Sequence, residues 1–351
     1  MWCGEDMNLV DFIIEEDGII SDAVKKIDRN GKGVIFIHEQ GGLKAVISDG
    51  DLRRYVLENG DLNKSIKEIA NYEPRMLYLN QQSIAKEFMQ EQRISVVPIV
   101  DDRKNIVKIC FRDGTEVFRQ MGQAVPVVIM AGGKGKRLSP YTNILPKPLI
   151  PIGEKTIIEH IIDRFKNVGC KDFLMIVNYK KNLIKAFFQE NREKINFYDE
   201  EKFLGTGGGL KLVEGDISST FFLSNCDILI DADYCDMLEQ HRKSQNLITM
   251  VCAAKREVLE YGVVDVDEKN QIIGLKEKPE FAFLINTGLY ILEPEVIKMI
   301  SEDEFIHITD IIEKCVRDGN KVGVYKVAEE SWLDMGQLDA LNNMKNRLGL
   351  Y

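Results

Sequence analysis

No apolar run in this chain approaches the about 20 residues that a membrane-spanning helix needs. Its opening, "MWCGEDMNLV", is acidic and lacks the basic-then-apolar order of a secretion signal. The expected setting is the cytoplasm. Positive charge is also short: 46 Lys and Arg stand against 56 Asp and Glu, a formal net charge of −10. That excludes an extended surface for nucleic acid or anionic lipid, so neither is expected as a partner. Any anion site must be local. The seven cysteines contain no C-x-x-C pair and no regular spacing, which argues against zinc and against a disulfide framework. Free, buried thiols in a reducing compartment are expected instead. Only four histidines occur. His160 and His241 fall in helical patterns and read as structural.

With 351 residues, the chain is long enough for two separate cores. Its first third carries an imperfect repeat. "SDAVKKIDRNGKGVIFIHEQGGLKAVISDGDLRR" reads helix, strand, turn, strand, helix start, and "SIAKEFMQEQRISVVPIVDDRKNIVKICFRDG" repeats the order. One such unit cannot bury both faces of its own sheet, whereas two packed together can. From Val125 onward the pattern changes to short β-rich runs alternating with longer helical ones. "VPVVIM", "FLMIVN", "INFY" and "TFFLSNCDIL" read as strands, and "KNLIKAFFQE" as a helix. "TIIEHIIDRFKNVG" lines Ile157, Ile158, Ile161, Ile162, Phe165 and Val168 along one helical face, with Gly169 as its stop. This alternation predicts an α/β fold with a mostly parallel sheet, whose ligands bind beyond the carboxyl ends of the strands. The expected division is residues 1–122, with halves at about 1–64 and 65–122, followed by 123–351.

The two N-terminal copies resemble a tandem pair of CBS domains, an α+β module. Its most specific stretch is "VISDGDLRR", where Ser48 and Asp51 fit the family's Ser/Thr-x-x-Asp element. The resemblance implies an adenine or guanine nucleotide there, with Asp51 on a ribose and Arg53 or Arg54 near phosphate. It also implies a homo-oligomer, since such pairs stack. The second copy has Cys110 and Asp113 at the equivalent places and loses the hydroxyl. The same residues also read as a helix start, with Ser48 or Asp49 as cap and Asp51 in the first turn.

The densest motif is "MAGGKGKRLSPYTNILPKP", which leaves the first strand of the second part. It is not a Walker loop, because Gly135-Lys136 is followed by Arg137. It is not a dinucleotide fingerprint either, because Leu138 takes the third glycine's place. What remains is a glycine-rich turn whose N–H groups can face an anion, reinforced by Lys134, Lys136 and Arg137. Lys147 follows between Pro146 and Pro148, which restrict the backbone and aim it.

This stretch is similar to the signature of sugar-1-phosphate nucleotidyltransferases, and later landmarks follow in that family's order. The resemblance implies a Rossmann-like nucleotidyltransferase domain with the following site. Ala131, Gly132, Gly133, Lys134 and Gly135 hold the nucleotide, with Arg137 and Lys147 as catalytic cations. In "EEKFLGTGGGL", Glu200 meets the edge of the base, and Gly205, Thr206 and Gly207 let its ring lie close to backbone. Gly262 of "YGVV", Glu277 and Lys278 of "LKEKP", and Asn286 and Thr287 of "INTGLYIL" hold the sugar phosphate. Asp227 of "LSNCDIL" and Asp334 of "SWLDMGQ" hold Mg²⁺. A sugar 1-phosphate oxygen would attack the α-phosphorus of a nucleoside triphosphate, and pyrophosphate would leave. Both reactants are polyanions, so the chemistry asks for neutralisation and positioning rather than a covalent nucleophile.

The combination with a CBS pair resembles the guanylyltransferases acting on glucosamine 1-phosphate in legionaminic acid pathways, which implies GTP. Heptose or mannose 1-phosphate, and UTP, CTP or dTTP, remain alternatives, as does a catalytically inactive regulatory subunit.

Overall fold

The computed structural model describes residues 7–334 apart from 40 and 192. It divides into two compact units, one of residues 1–122 with 167–169 and 233–235, the other of the remainder. Among the described residues, no helix is long and apolar enough to cross a membrane.

In the first unit, β1 (Ile13–Glu15), β2 (Val34–Glu39) and β3 (Gly42–Ser48) form one sheet, with α1 (Ile20–Asn30) and α2 (Asp49–Leu57). The second copy supplies β4 (Leu77–Tyr78), α3 (Ala85–Glu91), β5 (Val96–Val100), β6 (Ile106–Phe111) and β7 (Glu116–Phe118). The period-two alternation of β2 explains the stacking. Ile35 and Ile37 pack with Ile20, Ala23 and Ile27 of α1. Val34 and Phe36 pack with Val100, Ile106, Ile109 and Phe111 of the other copy. Lys32 bridges the copies, donating to Asp113 at 2.6 Å and to Thr115 at 3.0 Å.

The copies end differently. After β3, Ser48 caps α2 in a reciprocal box with Asp51. After β6, Asp113 accepts from the Thr115 N–H, Gly114 adopts φ +88°, and Phe111 closes on Thr115, so the chain turns back into β7. The expected repetition of order therefore stops one element short. An Asp-Gly turn starts a hairpin as readily as a helix.

Among the described residues, the second unit is built on a seven-stranded sheet. Its strands are β8 (Val127–Ala131), β11 (Phe173–Val177), β12 (Asn196–Asp199), β13 (Phe221–Asn225), β15 (Ile248–Val258), β18 (Glu280–Leu292) and β19 (Val322–Ala328). Their order is β12-β11-β8-β13-β18-β15-β19. Only β18 runs antiparallel to its neighbours, so the sheet is mostly parallel. Three small pairs stand apart: β9 (Pro151–Ile152) with β10 (Lys155–Thr156), β14 (Ile228–Ile230) with β20 (Trp332–Asp334), and β16 (Val263–Val266) with β17 (Ile272–Lys276). The helices are α4 (Tyr141–Ile144), α5 (Ile157–Asn167), α6 (Lys181–Glu190), α7 (Tyr234–Ser244), α8 (Glu295–Lys298) and α9 (Ile308–Arg317). One core joins Val128, Leu174, Ile176 and Leu223 of the sheet to Ile308, Ile311 and Ile312 of α9. β8 lies between two parallel partners with its backbone groups paired, so the loop after Ala131 opens at the carboxyl edge of the sheet.

The Asp51 carboxylate accepts from the Ser48 N–H at 2.8 Å and the Ser48 hydroxyl at 2.5 Å, and it pairs with Arg54. Ser48→Ala should therefore cost about 1 kcal/mol locally. Amide exchange across Asp49–Leu57 should rise roughly fivefold in the variant without ligand. Unchanged exchange would remove the cap from the account of α2.

Candidate active site

Ala131 is the buried end of β8, and the loop that follows is folded tightly onto its neighbours. A Cβ on Gly132 would stand 2.6 Å from a Glu200 carboxyl oxygen. One on Gly135, at φ +61°, would stand 2.9 Å from Thr142 and 3.0 Å from Lys147. The Thr142 hydroxyl donates to the Gly135 carbonyl at 3.0 Å. Gly133 has open space beside it. Lys134, Lys136 and Arg137 lie on the surface of the loop, and no carboxylate pairs with them among the described residues. The loop thus presents three cations and a glycine backbone to solvent, which suits a polyphosphate.

Lys147 opens a single turn, Lys147–Leu149, behind Pro146 at φ −64°. Pro148 and Leu149 are buried, which anchors the turn. Its ammonium pairs directly with Asp227. Asp227 follows β13 after Cys226, whose thiol burial pushes up to about 12 and so out of nucleophilic use at neutral pH. Asp227 precedes β14, and β14 pairs with β20 so that Asp334 stands opposite Ile228. The structure therefore brings Lys147, Asp227 and Asp334 to one strand end. A divalent cation of the Mg²⁺ type needs one or two carboxylates and completes its shell with substrate phosphates and water, and this donor set fits.

Glu200 leaves β12 and is only 2% exposed. It lies between the two loops: Gly132 on one side, and on the other Gly209, where a Cβ would meet its other oxygen at 2.8 Å. The Leu204 N–H donates to it at 3.3 Å. Burial pushes this carboxyl up to about 7, against the weaker pull of that N–H.

The glycines of the second loop have a packing reason that sequence reading does not supply. A Cβ at Gly205 would stand 2.5 Å from the Ile306 carbonyl, and one at Gly208 would stand 2.1 Å from that of Glu304. At Gly207 it would meet the Ile308 nitrogen at 2.9 Å. The Gly207 and Gly208 N–H groups donate to Ile306, and the Thr206 hydroxyl accepts from the first N–H of α9, that of Ile308, at 3.2 Å. The loop is clamped on residues 304–308.

The residues expected at the sugar form two further groups. Glu277 lies over Gly262, whose Cβ would be 3.0 Å from its carboxyl, and Lys278 reaches Glu260 at 3.4 Å. Asn286 donates to the Tyr290 hydroxyl at 2.7 Å. Thr287 is buried and spends its hydroxyl on the Val251 carbonyl and the Leu289 N–H, which gives it an internal role.

Three supporting residues lie outside the expected set. Lys180 donates to the carbonyls of Thr142, Asn143 and Ile144, tying down the helix that clasps the first loop. Asn225 fills the space beside Gly288. His307 takes the Thr206 N–H at 3.4 Å. The signal for each is a contact between segments distant in the chain. His160 and His241 bond to Ile152 and to Thr249 and Glu293, consistent with structural roles.

A family profile described as nucleotidyl transferase matches residues 126–349. Over 234 residues the chain is 33% identical to the bifunctional protein GlmU of Methanococcus maripaludis, covering 63% of this chain and 54% of that protein. Over 184 residues it is 38% identical to the mannose-1-phosphate guanyltransferase of Pichia angusta, covering 49% and 50%. The chain thus spans about half the length of these curated relatives. Among solved structures, HddC from Yersinia pseudotuberculosis complexed with GMP-PN gives a TM-score of 0.51 at 22% identity, over 64% of this chain and 99% of that one. That likeness shows the fold.

Glu200 generates a stability prediction. Its folded-state pKa is raised, so its contribution is fully present below the ordinary carboxylate range and is lost as pH rises through about 7. Glu200→Gln mimics the protonated form. The variant should match the wild type near pH 4 and be the more stable at pH 8, by up to about 3 kcal/mol, since each tenfold change in proton affinity is worth roughly 1.4 kcal/mol. Parallel melting-temperature profiles across that range would refute the buried carboxylate as their cause.

Proposed function

The chain belongs to the nucleotidyl transferase family, and on that premise we propose that it transfers GMP from GTP to a sugar 1-phosphate, releasing pyrophosphate and forming a GDP-sugar. Glu200 is the observation that carries the choice of base. Guanine offers two adjacent donors, N1–H and the 2-amino group, and one ionised carboxylate can accept both. Uracil and thymine offer one donor between two acceptors, which a carboxylate opposes. Glu200 lies buried between the two loops, with no cation paired to it among the described residues. The names of the Pichia angusta relative and of the HddC complex are consistent with guanine. Glucosamine 1-phosphate as acceptor, in legionaminic acid synthesis, rests on the resemblance of the domain combination alone. So does the reading of the first unit as a CBS pair with a nucleotide at Ser48 and Asp51.

The residues divide the work electrostatically. The loop N–H groups, Lys134 and Arg137 hold the β- and γ-phosphates. Lys147 leaves Asp227 for the incoming phosphate and the α-phosphate, where charge gathers as the new P–O bond forms. The α–β bridging bond breaks, and its electron pair departs with pyrophosphate. Gly262, Glu277, Lys278 and Asn286 orient the sugar phosphate. Asp227 and Asp334 would hold Mg²⁺, which when bound neutralises phosphate charge and aligns the α- and β-oxygens.

Three outcomes follow. In a pyrophosphate-release screen of GTP, UTP, CTP, dTTP and ATP against several sugar 1-phosphates, GTP with an amino-sugar 1-phosphate should turn over fastest. Tenfold faster turnover of UTP or dTTP would overturn the guanylyl assignment. Asp227→Asn and Asp334→Asn should each lower kcat roughly a hundredfold with the fold intact, and unchanged turnover removes that residue from the site. Lys147→Ala should lower kcat more than it raises KM for GTP, whereas an effect on KM alone would confine Lys147 to ground-state binding.

A further inference from the structure

The first unit holds a cavity of about 400 Å³ that none of the roles above uses. Small-molecule sites span roughly 300–1,000 Å³, so it is large enough for a small ligand. Leu9, Val10, Ile13 and Ile106 give it apolar walls, and its polar groups include His38 and Arg119. His38 belongs to β2, where period two puts it on the face of Val34 and Phe36. Those two pack into the core between the copies. His38 is the next residue on that face and lines the cavity instead, at the point where the β2–β3 register shifts. It is 8% exposed, and its Nε2 has no hydrogen-bond partner among the described residues. A buried, unpaired polar atom costs stability, so an apolar side chain would suit the fold better there.

The cavity lies away from the Ser48–Asp51 element. Val34 pairs with Ser48 at one end of the β2–β3 hairpin, and His38 is about 13 Å further along the strand, toward the turn. In the second copy, Ile106 opens β6 at the cavity, whereas Cys110 lies toward that strand's close.

The walls are held by contacts of their own. Asn8 accepts from the Val10 N–H at 3.2 Å, Lys26 donates to the Val10 carbonyl at 2.9 Å, and Phe12 is fully buried. Arg119 is steadied by Asp233 at 3.1 Å, within the same unit. Among the described residues, no acidic side chain lines the cavity, whereas Arg119 brings positive charge to it. Burial first, and the Arg119 charge second, lower His38 to about 4, so its imidazole is neutral at pH 7 and carries one N–H. A cationic ligand would face a guanidinium. A phosphate monoester would bring nearly two charges to one cation that already serves Asp233. A carboxylate brings one, and it accepts from an imidazole N–H and a guanidinium alike.

We propose that this cavity binds a small organic monocarboxylate, its charged end between His38 and Arg119 and its apolar body against Leu9, Ile13 and Ile106.

Histidine-ring NMR of the full chain tests the proposal, since only four histidines give signals. The probes are hexanoate and 3-phenylpropionate, with 3-phenylpropionamide and AMP as controls. At least one carboxylate, at millimolar concentration, should shift the His38 signal saturably and leave the other three in place, while the amide should not. Calorimetry with that carboxylate then compares variants. His38→Leu should weaken binding roughly tenfold or more, while the melting temperature without probe holds or rises. Val10 lines the cavity yet is 65% exposed, so substitution there spares the fold. Val10→Glu should weaken binding roughly fivefold, and Val10→Lys should not. The carboxylate site is overturned by no shift from either carboxylate, an equal shift from the amide, or a larger shift from AMP. Unchanged affinity in His38→Leu, or equal weakening by Val10→Glu and Val10→Lys, overturns it as well.

Discussion

Lys147 and Asp227 hold each other, and the geometry of the second unit is arranged around that pair. Both side chains are less than one-fifth exposed, so each would leave a costly uncompensated charge without the other. The pairing fixes where the proline-bound turn meets the end of β13. Gly135 must be small because Thr142 and Lys147 both lie beside it, and the Thr142 hydroxyl then fastens the loop. One ionic contact thus relates the phosphate loop, the turn and the strand end. A polyanion arriving with its own cation offers both members of the pair a new partner at once, so neither need become a bare charge when the contact opens.

The second loop obeys a different constraint, which is space. Its glycines press against the carbonyls of Glu304 and Ile306, and α9 begins where the loop ends its path. Glu200 is confined between the two loops and carries the cost of a carboxylate shut away from water. Such a group weakens the folded state at neutral pH. Stability alone therefore does not explain a carboxylate at this position.

Much of the second unit is legible in the sequence because its cues are local. The apolar stripe of α5 and its glycine stop, and the bounds of α6, follow from periodicity alone. The phosphate loop is legible as a motif. Contacts between distant segments are not. "TFFLSNCDIL" reads as one strand but breaks at Cys226–Asp227, because Ile228–Ile230 pairs with Trp332–Asp334 in another sheet. The glycines of "LGTGGG" look reserved for a base, and a packing role stands beside that: Gly205, Gly207 and Gly208 lie against residues 304–308, and Gly209 against Glu200. Thr287 is expected beside the sugar phosphate, and the sequence does not reveal that its hydroxyl is also bonded to the Val251 carbonyl. The end of the second N-terminal copy misleads for a local reason, since Asp-Gly serves helix starts and hairpins alike.

The pairing of β14 with β20 joins segments more than a hundred positions apart in the chain. During synthesis, the phosphate loop, Lys147, Glu200 and Asp227 all leave the ribosome well before Trp332–Asp334 can close against Ile228–Ile230. On the roles proposed above, a chain cut short of Trp332 would keep the phosphate loop, Lys147 and Asp227 but lack Asp334, so a cation held there would lose one of its two carboxylates.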